Sequence, residues 1–448
     1  MRGVRSLLVL VVVLAGLAGY IYFIESKKPE RTRESEPKAK AFTVTSDKIE
    51  EVRVKAASGD RTLLRKTGGA WQMVEPSAMK ADEAEVTGIA SNLASLEIQR
   101  VVDEKPADLK QYGLAEPRVE VAFRAAGDKA EQTLRLGDKT ATGGDMYAKY
   151  GNQPKVFLVS AYLDSTFNKT TFDLRDKAIL SFERNKADAI EITAGDHALQ
   201  LAKTGEDWKL TRPVDAKADY GSVEALIGRV QTAQMKAIAA DAAADPTPYG
   251  FDKPELTVTV GAGSSRATLV VGKAGEAGTF FARDQSRPMV FTVEASLVDE
   301  LKKPADTYRR KDLFEFRSFT ANRIEITRGK DTLAFEKAKG PEKDAQEKWR
   351  QVLPAAKDVD ASKIDTFLTR LSNLRAESFL APDDKTKTGL DAPAATVVVR
   401  FEDSKKQERV VFGKVGSDVF ASRASEPGVA KIATFDFDEA MRGLDEIK

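Results

Sequence analysis

A chain of 448 residues is long enough for about three ordinary domains, and with 42% hydrophobic and 31% charged residues it has the composition of folded protein with a well-solvated surface. Its 70 basic residues nearly balance 69 acidic ones, and a net charge of +1 gives no global field to gather nucleic acid. The absence of cysteine excludes disulfides, thiolate nucleophiles and a lipidated N-terminal cysteine, and a single histidine, His197, excludes any mechanism that needs two imidazoles.

The first element is an uncharged apolar run from Ser6 to Ile24. As a helix it would be about 28 Å long, close to the hydrocarbon thickness of a bilayer. Arg2 and Arg5 precede it, which favours a cytoplasmic N-terminus with the rest of the chain exported. A cleaved signal peptide is the competing reading, since Gly16-Leu17-Ala18 is a permissive site. The run continues past that site, so a single-pass anchor over 1–25 in the cytoplasmic membrane is expected, with the bulk of the chain periplasmic. Residues 26–42, rich in Lys, Arg, Glu, Pro and Ser, are predicted to be a disordered spacer.

Beyond the spacer one phrase recurs. Trp71 is followed by Pro76, Trp208 by Pro213 and Trp349 by Pro354; these are the only three tryptophans, at intervals of roughly 140 residues. Three similar modules follow, over 43–180, 181–316 and 317–448. Each begins with an alternating strand (Ile49 to Val54, Ile190 to Ile192, Ile324 to Ile326), then a second strand, then the tryptophan strand ended by its proline. Eleven positions after each tryptophan stand Asp82, Asp219 and Asp360, placed to cap the helices whose apolar stripes follow. Asp82 with Glu85 suggests a capping box. Next come Tyr112-Gly113-Leu114, Tyr249-Gly250-Phe251 and Thr388-Gly389-Leu390, each followed by a proline. Four further strands end each module, the last of them Ile432 to Phe435 in the third; short helices lead out of the first two. The fold class expected is α+β: a transmembrane helix, then three modules of mostly antiparallel sheet with one main amphipathic helix each. The indoles are expected inside, against the helix stripes.

Catalytic patterns are missing. No P-loop and no Gly-x-Ser-x-Gly occur, and the glycine-rich stretch from Gly272 to Gly278 lies between strands, as a repeated hairpin turn. Neither cofactor nor metal is expected, and the acidic positions that repeat are the caps. Candidates for partner contacts are the basic residues on the return strand, Lys149 and Arg283, with Arg423 one position further along, and Arg309 and Arg310 at a module junction.

The single apolar run and the repeated W-x-x-x-x-P, Y-G-L-x-x-P and late L-x-x-G signatures resemble the bacterial family of unknown function numbered 4340. That resemblance implies an extracytoplasmic accessory to membrane transporters of the ATP-binding-cassette type, and supplies no catalytic residues. The function expected is non-enzymatic: a membrane-anchored scaffold that binds a transporter or another envelope protein, with no nucleic-acid partner. The alternatives are a polysaccharide-binding array that uses Trp71, Trp208 and Trp349, and, behind it, an envelope hydrolase with paired carboxylates.

Overall fold

The computed structural model describes residues 38–447 apart from 152, 243–244, 339–347, 382–383 and 385. The expected anchor, 1–25, lies outside the described residues, among which no helix is long and apolar enough to cross a membrane. The chain divides into two compact units, the first ending at Asp176 and the second spanning Lys177–Lys448. The first holds one nine-stranded sheet and the second holds two.

All three sheets are antiparallel and have one topology. In the first, the strands are β1 (Ile49–Lys55), β2 (Arg61–Thr67), β3 (Ala70–Glu75), β4 (Met79–Lys80), β5 (Arg100–Asp103), β6 (Val119–Ala125), β7 (Gln132–Lys139), β8 (Asp145–Tyr150) and β9 (Val156–Ser160). Their order across the sheet is β4-β3-β2-β1-β6-β7-β8-β9-β5. Two strands per module escaped the sequence reading, β4 and β5 with their counterparts. They are the two edges, and they show why each module has a long helix. The Glu83–Ser95 helix leaves the β4 edge and the chain rejoins the sheet at the opposite edge, so the helix must cross one face.

That face is the core. Val86, Ile89, Ala90 and Leu93 of the helix are buried with Ile49, Val52, Val54, Leu64 and Phe123 of the sheet. Each such side chain removed from water is worth about 2 kcal/mol of transfer free energy. The same stripe recurs as Val223, Leu226, Ile227 and Val230 on Tyr220–Thr232, and as Ile364, Phe367, Leu368 and Leu371 on Ala361–Ser372. In β1 the register against β6 slips between Ile49 and Glu51, which lets both Ile49 and Val52 face inward despite their spacing.

The third module departs at its end. The final strand stops at Ile432, and Thr434–Asp445 is a helix rather than the strand expected through Phe435. This helix adds Phe437, Ala440, Met441 and Leu444 to the core, so the third module has two main helices. Of the expected spacer, residues 26–37 lie outside the described residues. Ala41 donates its N–H to Leu96 and Ile98 donates to Ala39, and Phe42 is buried against the rings of Phe123 and Tyr150, so residues 39–42 belong to the first module.

Candidate functional site

Trp71, Trp208 and Trp349 are 3%, 2% and 5% exposed. An indole so enclosed offers no face to a sugar ring, which takes the tryptophans away from the polysaccharide reading. A lysine on the neighbouring strand covers each ring: Lys66 at 5.9 Å, Lys203 at 5.6 Å and Lys337 at 5.4 Å from the centroid. Trp208 Nε1 donates to Glu224 at 3.1 Å, whereas Trp349 Nε1 is buried with no acceptor among the described residues. Pro76, Pro213 and Pro354, which end these strands, each follow a cis peptide bond.

Asp82, Asp219 and Asp360 are N-caps: their carboxylates accept from the N–H of Glu85, Ser222 and Ser362. Hydrogen bonds from Ser222 and Ser362, their hydroxyls first, hold Asp219 and Asp360 below the usual aspartate range. The capping box does not close, because the Asp82 N–H donates instead to Leu174 O at 2.9 Å and Glu85 pairs with Lys169.

The two glycine motifs are one device. Gly113, Gly250 and Gly389 adopt left-handed conformations that turn the chain back over the sheet. The carbonyls of Tyr112, Tyr249 and Thr388 then approach Gly137, Gly272 and Gly413 so closely that an added Cβ would lie 2.0, 2.0 and 2.1 Å away. Since the contact is made by a backbone oxygen, threonine serves in the third module as tyrosine does in the others. The glycine-rich stretch starts in the strand Ser265–Ala274, and Gly275–Gly278 form the hairpin turn; His197 is exposed at the start of a strand.

The basic candidates form no exposed row. Lys149 is 6% exposed and donates to Gly151 O at 2.9 Å; burial, with Arg135 nearby, pulls its ammonium below the usual lysine range. Arg283 lies over the Phe251 ring at 4.8 Å. Arg423 is in register with Tyr150 and not with Lys149, so it faces the other side of its strand. There it donates to Asp312 O at 3.0 Å. Arg287 likewise holds the carbonyls of Ala178 and Ile179, and the Tyr150 hydroxyl holds Ala41 O. Each module thus clamps the segment that leads into it.

Within the second unit the junction between the two sheets is built from the same segment. Asp219 N–H donates to Tyr308 O at 2.8 Å and Arg310 N–H to Lys217 O at 2.9 Å. Immediately after, Leu313 N–H donates to Leu374 O and Ala376 N–H to Lys311 O. Arg309 is buried with its guanidinium 3.6 Å from the Phe379 ring centroid, and Arg310 pairs with Glu315 at 3.1 Å. Burial opposes ionisation of Glu315, but Lys217 and Arg310 outweigh it and hold the carboxyl below its ordinary value. Burial pushes the Tyr308 hydroxyl up to about 12. Arg309 and Arg310 are therefore engaged within the junction.

Two open clefts accompany this frame. One of about 460 Å³ lies at the junction between Asp219, Asp306, Arg309 and Arg375. A second, of about 820 Å³, lies in the second module against Ile192, His197, Pro213, Pro254 and Leu301. Among the described residues no group of three or more His, Asp or Glu side chains could hold a metal ion.

A model of the domain of unknown function DUF4340 matches residues 71–209 and 208–393. The chain belongs to the DUF4340 family. Both matches begin at a tryptophan, after the first two strands of a sheet. No curated protein matches in sequence. Among solved structures, the DNA polymerase sliding clamp of Pseudomonas aeruginosa, crystallised with a ligand, is similar over 87% of this chain and 92% of the clamp, at 10% identity. Its TM-score of 0.18 gives that likeness no structural weight.

Proposed function

We propose that this DUF4340 protein is a non-enzymatic scaffold, anchored in the cytoplasmic membrane by residues 6–24, whose modules stand outside the membrane and bind an envelope protein, a transporter component of the ATP-binding-cassette type. The supporting observation is the junction segment 308–313, bonded through its backbone to one sheet at Lys217 and Asp219 and to the next at Leu374 and Ala376. A connector paired on both sides holds two sheets at a fixed spacing, which is what a scaffold requires. The repeated acidic residues are engaged as helix caps, and the repeated aromatic ones fill cores, so the features that define the family serve construction.

The test is crosslinking in native membranes followed by affinity recovery, with protease accessibility to fix which side carries the modules. A membrane-protein partner recovered with externally accessible modules is expected. Recovery of this chain alone, or modules shielded on the cytoplasmic side, overturns the reading.

A further inference from the structure

The three modules share an edge that is filled twice and, among the described residues, left open once. In the first, Asp82 N–H donates to Leu174 O and Asp176 N–H to Lys80 O, with Ala81 and Arg175 bridged between them. In the second, Asp219 and Lys217 make the same bonds to Tyr308 and Arg310, with Ala218 and Arg309 bridged. The equivalent residues of the third module are Asp358, Val359 and Asp360, since Asp358 pairs with Arg350 as Lys80 does with Gln72 and Lys217 with Lys209. Among the described residues nothing pairs with the outer side of that edge: the Asp360 N–H and the Asp358 carbonyl have no backbone partner there.

Resting on the scaffold reading, we propose that the Asp358–Asp360 edge is the docking site of that scaffold, and that it takes one extended, basic strand of a partner protein as an additional antiparallel strand. Edges are ordinarily protected by being short and charged. Here the same short edge is paired in the other two modules, so its length does not prevent pairing. The charge selects the occupant. In the first module Asp176 of the added strand is bonded to Lys80, an acidic residue beside a basic one. In the second, Arg310 meets Lys217, and Glu315 stands between them as counter-ion to both. In the third module that position is Asp358, whose carboxylate meets Arg350 at 3.0 Å yet is 89% exposed, so a lysine or arginine in the added strand can share it as Lys217 and Arg310 share Glu315.

Apolar anchoring is not required of the occupant. Leu174 is part of the first core, whereas the third core is completed by Leu444 and Ile447 of its own C-terminal segment. Recognition therefore rests on backbone pairing and charge, a mode in which main-chain bonds give affinity and few side chains give specificity. A second copy of this chain is a poor occupant through the same edge, because antiparallel pairing about Val359 would set Asp358 against Asp360 of the other copy.

The test uses the full chain and two fluorescent nine-residue peptides, one alternating Val and Lys and one alternating Val and Glu. The Val/Lys peptide is expected to bind, to slow amide exchange at Asp360, and to weaken with salt. Asp358→Lys, at an exposed site, is expected to shift preference toward the Val/Glu peptide by about fivefold. Equal binding of both peptides, no binding, or unchanged exchange at Asp360 overturns the proposal. Dimers of the wild-type chain that Asp358→Lys disperses would make the occupant a second copy, which also overturns it. Crosslinking separates this proposal from the broader one: a partner captured equally by wild type and Asp358→Lys keeps the scaffold but removes the edge as its docking site. No partner captured by either removes the scaffold.

Discussion

The second and third modules share a sheet order, a buried tryptophan and a capped helix, yet they differ at the outlet. The second leaves through a seven-residue helix, Ala295–Leu301, into a connector that pairs with its own edge; the third has a twelve-residue helix that packs into its core, and among the described residues its edge has no pairing strand. What repeats is whatever closes a module on itself, and what varies is where a module meets something else. Loss of tyrosine at Thr388 fits the same division. The ring is dispensable, whereas the carbonyl that meets the strand glycine is kept.

The largest effects should fall on the shared parts and should be equal in the two modules. Trp208→Ala and Trp349→Ala each leave a cavity in a sealed core and are expected to cost about 4 kcal/mol, seen as a lowered unfolding midpoint. A loss confined to one module would break the equivalence. Intrinsic fluorescence of the wild-type chain should be blue-shifted and resist aqueous quenchers, as enclosed indoles require. Next, Gly272→Ala and Gly413→Ala drive a methyl into a carbonyl oxygen at about 2 Å. Each is expected to cost about 3 kcal/mol, and tolerance at Gly413 alone would mean that Thr388 does not replace Tyr249.

The shared parts were also the legible ones. Strand alternation, helix stripes and capping aspartates are written in local spacing, and Asp82, Asp219 and Asp360 cap where the sequence placed them. Edge strands were illegible because the two residues Met79–Lys80 are too few to show alternation, and the four residues Ala237–Ala240 contain no polar side chain to alternate with the apolar ones. The lysine over each tryptophan was hidden differently. Lys66 and Lys203 precede their tryptophans by the same interval, but in the third module the intervening segment is longer and Lys337 stands further from Trp349. The surroundings of the basic residues were not legible, because a sequence does not show which charge is buried. Lys149, Arg309 and Arg423 have the composition of a contact surface and the positions of internal clamps.

A smaller effect sharpens the comparison from the side of the third module. Glu224 accepts from the Trp208 indole, and the same helical position in the third module is Asp365, one methylene shorter. Asp365→Glu is therefore expected to give Trp349 Nε1 an acceptor and to raise stability by about 1.5 kcal/mol. An unchanged midpoint would show that the two helices approach their tryptophan strands differently.

The smallest effect concerns the caps, and it depends on pH. Asp219→Ala removes a carboxylate that accepts from the Ser222 N–H at 2.8 Å, with an expected loss of about 1 kcal/mol at neutral pH. Because the folded state holds Asp219 below its ordinary value, the stabilisation is present above the unfolded aspartate pKa of about 3.9 and is lost as pH falls through the folded one. The gap between wild type and Asp219→Ala should accordingly narrow as unfolding is followed from pH 6 down toward pH 3. A gap that stays constant would mean that the aspartate stabilises this helix through the geometry of its backbone turn and not through its charge. The equivalence with Asp360, which accepts from a serine two positions on rather than three, would then have to be rebuilt on that footing.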